Sequence, residues 1–134
     1  MTTNEIALIG PPRRQKRQVA ERKGRHAEAL ALQFLRDHGY EILGTRLRTA
    51  SGEIDLVAQT ATVLAFIEVK ARVSEAAGLE AISRRQRQRL VAAAAILLAE
   101  HPQWQRPDTR FDVIVLAGGE LSHVPAAFRA DDVG

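Results

Sequence analysis

Between Arg17 and His38 apolar residues recur at three- and four-residue spacing. Ala20, Ala27, Leu30, Ala31, Phe34 and Leu35 form one stripe, which predicts an amphipathic helix. Gly39 stands where a C-terminal cap belongs. Ile42 to Arg48 then reads as a strand and Thr49-Ala50-Ser51-Gly52 as a turn. Glu53 to Ala58 and Val63 to Arg72 read as two further strands joined by a short polar connection. A loop from Val73 leads to Ser83, which forms a Ser-x-x-Gln capping box with Gln86. The helix behind it carries Leu90, Ala94, Leu97 and Leu98 on one face, and His101-Pro102 stops it. Arg110 to Leu116 is a strand, Gly118-Gly119 a hairpin turn, and Leu121 to Val124 the returning strand. The order α-β-β-β-α-β-β predicts an α/β domain with a mixed sheet covered by helices. Residues 1–16, with Gly10-Pro11-Pro12, read as a flexible basic leader, and residues 17–134 as a single domain.

Strand parity brings chemistry together. Ile54, Leu56 and Ala58 point one way, Asp55 and Val57 the other. On the next strand Ala65, Ile67 and Val69 form an apolar face, and Phe66, Glu68 and Lys70 the opposite one. An even connection, Thr60-Ala61 or Gln59 to Thr62, sets Asp55 across from Phe66 with Glu68 as its diagonal neighbour. The other parity would press Asp55 into the apolar face, at a cost of roughly several kcal/mol. Two carboxylates and an ammonium therefore converge on one partly apolar face. Such a pair, without cysteine or paired histidine, suits a hard cation such as Mg²⁺ or Mn²⁺. The lysine beside it can orient a metal-bound water or neutralise charge growing on a phosphate. Glu-x-Lys on an exposed strand is usually a solvated pair, so a metal site and a structural ion pair both stay open on the residues alone.

Composition narrows the classes. The 134 residues are 46% hydrophobic and 26% charged, which fits one soluble domain with an aliphatic core. The absence of cysteine excludes disulfides, thiolate zinc sites and cysteine nucleophiles. The apolar run Leu90 to Ala99 is too short to span a bilayer, and Ile6 to Ile9 precedes the basic run instead of following it as a secretory signal would. A cytoplasmic protein without a membrane partner is expected.

Charge distribution says more than the net +3. Arg13 to Arg25 holds seven basic residues, Arg17 and Arg25 among them, against the single acid Glu21. A second cluster, Arg84, Arg85, Arg87 and Arg89, opens the later helix, where the dipole favours acids. A phosphate docked there reverses the sign of that argument. Both clusters point to a nucleic acid; a solubilising tail and a solvated helix face are the plainer alternative. The four histidines lack paired spacing and read as incidental, and Trp104 reads as a plug between loop and body. Glu53, at the strand mouth, reads as structural, and Asp112 as a partner of Arg110 or Arg48.

Gly52-Glu53-Ile54-Asp55-Leu56 followed by Phe66-Ile67-Glu68-Val69-Lys70 resembles the Asp…Glu-x-Lys core of the PD-(D/E)XK nucleases. More narrowly, the chain is similar to the YraN family of small bacterial proteins, distant relatives of archaeal Holliday-junction resolvases. The likeness spans residues 22–130. It includes Gly24-x-x-x-Glu28-x-x-Ala31, Gly39-Tyr40-x-Ile42-Leu43, Arg48 and Arg110-Phe111-Asp112-Val113. The resemblance implies a restriction-endonuclease-like α-β-β-β-α-β core, making the domain nuclease-like. It also implies that Glu28, Asp55 and Glu68 are the metal-holding carboxylates of a Mg²⁺- or Mn²⁺-dependent phosphodiesterase, with Lys70 as catalytic lysine. It further adds Arg48 to the nucleic-acid contacts, DNA over RNA as substrate, and a homodimer by analogy with resolvases. Two positions depart from the pattern. Gln86 stands where many relatives carry lysine, and Arg46 where asparagine often precedes the first-strand arginine. Two functions follow: a nuclease of structured or branched DNA, or a nuclease-fold module that binds DNA or RNA without cutting.

Overall fold

The computed structural model describes residues 13–133. Helix α1 (Arg13–Asp37) starts four residues before the apolar stripe predicts. Arg, Gln and Lys are good helix formers, so the helix extends past the part that needs burial. Residues 13–16 of the expected leader thus belong to α1, and residues 1–12 lie outside the described residues. Ala27, Ala31 and Leu35 are the fully covered residues of the stripe.

Five strands follow in spatial order: β1 (Glu41–Thr49), β2 (Gly52–Gln59), β3 (Val63–Ala71), β4 (Asp108–Ala117) and β5 (Glu120–Phe128). All neighbours are antiparallel except β3 and β4, which are parallel. The crossover between those two carries α2 (Glu75–Glu80) and α3 (Arg84–Glu100). Helix α1 packs on one sheet face against Leu56, Ala58, Ala65, Ile67, Val69 and Ile114. Helix α3 packs on the other, its Leu90, Ala93, Ala94 and Leu97 against Val57, Phe66, Val113 and Val115. The result is an α/β fold with a five-stranded mixed sheet flanked by helices, as the element order predicts.

Several local expectations change. The segment read as a loop after Val73 contains α2, capped by Ser74, whose Oγ accepts from Ala77 N–H at 3.1 Å. Its six residues are too few to show a period. Gly78 lets it lie directly on β4, because a Cβ there would sit 2.6 Å from the Val115 methyls. Strand β5 runs past Pro125, which an edge strand tolerates because its N–H side needs no ladder partner. Ile54 packs in the α3 layer with Val57 instead of with Leu56 and Ala58, because β2 leaves its ladder with β3 beyond Leu56. Trp104 is buried as expected, stacked on His101 at 3.9 Å between ring centres.

The register of β2 on β3 positions the site. Leu56 pairs with Ile67 and Gln59 with Leu64, enclosing four residues. Thr60 closes that loop, its N–H donating to the Val63 carbonyl and its Oγ1 accepting from Val63 N–H. The parity is the expected one, but the register is two residues further along. The last ladder pair is Leu56 with Ile67, so Asp55 and Glu68 are the next residues along each strand just where the ladder ends, and Phe66 pairs with Val57 and not with Asp55.

Candidate functional site

The ladder between β2 and β3 stops at Leu56 and Ile67, where the strands part. Asp55 fills the gap with its side chain, its Oδ2 accepting Val69 N–H at 2.8 Å. Glu68 is 7% exposed, and two donors converge on its Oε1: Lys70 Nζ at 3.2 Å and Gln86 Nε2 at 3.1 Å. Lys70 is itself mostly covered. Burial pushes the Glu68 carboxyl from 4.5 up to about 7, and the charge of Asp55 adds to that rise while Lys70 opposes it. Asp55 is raised too, by burial and then by the nearby Glu28 charge, against the pull of the Val69 N–H and Lys70. One lysine is too little positive charge for two carboxylates in this setting.

Gln86 is a site residue whose role the sequence pattern misassigned. Ser83 Oγ caps its N–H at 3.1 Å, as the capping box requires. The reciprocal half of the box does not form, because the Gln86 amide reaches across to Glu68. Helix α3 is thereby tied to the carboxylate pair.

Glu28 stands beside the pair, within electrostatic reach of Asp55, but its Oε2 is held by Arg46 through Nη2 at 2.6 Å and Nε at 3.0 Å. Arg46 has φ 50, a left-handed conformation costing about 1–3 kcal/mol for such a residue. It sits in β1 between Thr45 and Leu47, whose partners Leu56 and Ile54 flank Asp55. The strained backbone aims its guanidinium at Glu28. The only sequence signal was the departure from asparagine at this position.

Among the described residues, no three His, Cys, Asp or Glu side chains form a ready-made metal shell. Asp55 and Glu68 supply two carboxylates. Magnesium is commonly held by one or two, its shell completed by water and phosphate oxygens. The donor set therefore fits a hard divalent ion, and the unbalanced charge on the pair favours one.

The arginines divide. Arg85 and Arg89 line, with Gly52, Glu53 and Gln86, a cleft of about 320 Å³, and it is Gln86 of that lining that bonds Glu68. Gly52 has φ +141, and α3 comes so close that Arg89 Cβ would lie 3.9 Å from an added side chain. Arg84 is exposed at the same helix start. Arg87 instead turns inward, donating to the Ile82 carbonyl at 3.2 Å with its guanidinium 5.4 Å from the Phe128 ring centre. It therefore braces the helix rather than facing solvent with the others. Arg48 is 89% exposed and 3.4 Å from Glu53, and Arg17 and Arg25 are exposed on α1.

Asp112 belongs to a second cluster, on β4. It is 1% exposed and accepts from Arg110 at 2.8 and 3.2 Å, from Ala126 N–H at 2.9 Å, and bonds His123 Nε2 at 2.8 Å. Arg110 also donates to the Tyr40 hydroxyl at 2.8 Å. Of the two arginines offered by the sequence, Arg110 is the partner. His123 is not incidental: it pairs with Ile114, so its ring lies on the face of β4 that Asp112 shares, one diagonal step away.

Among the described residues no helix is long and apolar enough to cross a membrane. The profile of a family described as "Uncharacterised protein family UPF0102" matches residues 27–116, which hold all four of Glu28, Asp55, Glu68 and Lys70. A UPF0102 protein of Acidiphilium cryptum is 49% identical over 116 residues, covering 87% of this chain and 91% of that one. Similar proteins of Granulibacter bethesdensis and Azorhizobium caulinodans are 45% and 41% identical, over 86% and 90% of this chain and 73% and 92% of their own. The match runs from the middle of α1 through α2, α3 and the first four strands, and the chain belongs to the UPF0102 family, the YraN family that its motifs resemble.

Proposed function

We propose that this protein is a Mg²⁺- or Mn²⁺-dependent nuclease that hydrolyses phosphodiester bonds in structured or branched DNA, on a PD-(D/E)XK-like fold. The observation that carries this is the Asp55–Glu68 pair: a half-buried and a buried carboxylate within reach of each other, both pushed upward, with Lys70 3.2 Å from Glu68. A purely structural site would be balanced by its own donors. This one is short of a cation.

Asp55 and Glu68 would hold the ion, which when bound supplies Lewis-acid polarisation of the phosphate and a more acidic water. The Val69 N–H and the Gln86 amide keep the two carboxylates turned toward each other. Lys70 sits where it can stabilise the charge that grows on a phosphate under in-line attack. Arg85 and Arg89, which share a cleft with the Glu68 partner Gln86, and the exposed arginines of α1 would hold the flanking phosphates.

One observation favours the non-cutting module instead. Glu28, the third carboxylate of the motif, is engaged by Arg46 and does not complete a shell. A cleavage panel decides: duplex, flap, four-way junction, single strand and RNA, with Mg²⁺ or Mn²⁺, run beside Glu68→Gln. Cutting of a branched DNA that Glu68→Gln abolishes supports the nuclease. Tight binding of every substrate with no product supports the module.

A further inference from the structure

Lys70 and Ala71 are neighbours on β3, yet they face opposite sides of the sheet. On the Ala71 side, at the carboxyl ends of the parallel pair β3 and β4, a cleft of about 680 Å³ opens beneath the N-terminal half of α1. That size lies within the range of small-molecule sites. Crevices outside the carboxyl ends of parallel strands are also where α/β sheets bind ligands.

The lining has two parts. Ala71, Leu116 and Val73 make an aliphatic floor, and Val73 is 92% exposed, with almost nothing over it. Lys23, His26 and Arg72 line it as well, and none of the lining residues is acidic. Lys23 and His26 are three residues apart on α1 and so share a face. Arg72 donates to the Ala71 carbonyl at 2.8 Å, which folds its guanidinium over the end of the strand. At the hairpin tip, Gly118 and Gly119 carry no side chains to close the mouth.

An aliphatic floor beside basic groups matches a nucleoside monophosphate unit: a flat apolar face joined to an anion. A stacked and paired base cannot offer its face, whereas an unpaired one can. Resting on the nuclease reading above, we propose that this cleft binds one unpaired nucleotide of the DNA substrate, the base on Ala71, Val73 and Leu116 and the phosphate among Lys23, His26 and Arg72. The chain leaving the Asp55–Glu68 pair would turn over the end of β3 to reach it. A continuous duplex is too stiff for that turn. The substrate class is then DNA with an unpaired nucleotide next to the cut.

The test uses the full chain in metal-free buffer, so that binding is read without cleavage. Deoxyadenosine monophosphate should shift the Val73 and Leu116 methyl resonances, and inorganic phosphate should shift the Arg72 and Lys23 amides while leaving those methyls in place. A forked DNA should bind about tenfold more tightly than the same sequence fully paired, about 1.4 kcal/mol. Val73→Glu, on an exposed side chain, should abolish that preference and hold fully paired affinity within about threefold. Equal affinity for forked and paired DNA, or nucleotide shifts away from these methyls, overturns the inference and leaves the nuclease reading intact. An acidic peptide that shifts the same methyls as strongly assigns the cleft to peptide and overturns it too. Nucleotide shifts with no binding of either DNA would make this a free-nucleotide site, overturning the substrate assignment and the nuclease reading together.

Discussion

Asp112 and the Asp55–Glu68 pair are carboxylates covered by the same sheet, and their surroundings act on them in opposite directions. Burial alone raises all three. At Asp112 the hydrogen bonds from His123, Arg110 and the Ala126 N–H outweigh burial, and its carboxyl is held below the usual value. At Glu68 burial and the Asp55 charge outweigh Lys70, and the carboxyl rises to about 7. The fold thus completes one site with its own donors and leaves the other short of positive charge. A buried charge with all its partners is a structural element; an under-supplied pair is a place for an outside cation.

The largest effect should separate the two by stability. Asp112→Ala leaves the half-buried Arg110 without its counter-charge and strips His123 and Ala126 N–H of their acceptor, and should cost about 3 kcal/mol in urea denaturation. Glu68→Gln keeps the shape, removes a repelled charge and should change stability by less than about 1 kcal/mol. Equal destabilisation by both would break the contrast and make Glu68 structural.

Catalysis should separate them the other way. Lys70→Ala should lower cleavage by about a hundredfold or more while DNA affinity stays within about threefold, because the lysine acts on transition-state charge. Tyr40→Phe, which removes the hydroxyl bonded to Arg110, should leave cleavage unchanged. Parallel loss of binding and cleavage in Lys70→Ala would return that lysine to a structural pair.

Metal binding sharpens the same contrast. Mg²⁺ at a hundred times its dissociation constant should stabilise the protein by about 2.7 kcal/mol. Asp55→Asn should remove that gain, whereas the conservative Asp112→Asn should keep it. Thermal melts with and without Mg²⁺ read both, and a melt of the unaltered protein that ignores Mg²⁺ would leave the pair without its proposed ion.

The gentlest test is pH. In metal-free buffer the native state keeps a proton on Glu68 up to about pH 7, whereas the unfolded chain releases it near 4.5. Stability from this group is complete below about 4.5 and falls as pH rises toward 7. Asp112 has the reverse sign: its lowered value adds stability above the ordinary 3.8, lost as pH falls through and below that range. Denaturation midpoints from about pH 3 to about pH 8 should therefore pass through a maximum. Glu68→Gln should flatten only the alkaline limb.

Local periodicity determined much of this molecule. The α1 stripe, the strand alternation and the Ser83 cap are written in residues a few positions apart, and each appears in the fold. Short or interrupted elements escaped it, as α2 and the extension of β5 past Pro125 show. The candidate site was legible as residue types: Asp55, Glu68 and Lys70 lie together, although β2 loses its alternation between Ile54 and Val57. Gln86 on Glu68, Arg46 on Glu28 and His123 on Asp112 were not legible, because each joins residues at least 11 positions apart.

What the sequence determined by itself was which face a side chain takes wherever a strand stays in its ladder, since apolar alternation has a period of two; beyond the ladder's end at Leu56, Ile54 took the other face. What only the tertiary structure decided was the offset. A shift of two residues leaves every face unchanged, so the pattern cannot distinguish Asp55 opposite Phe66 from Asp55 opposite Glu68. The closure of the loop at Thr60 and the packing of α1 and α3 on the two faces chose the register that pairs Leu56 with Ile67 and ends there. That choice brought the two carboxylates within reach of each other where the strands part.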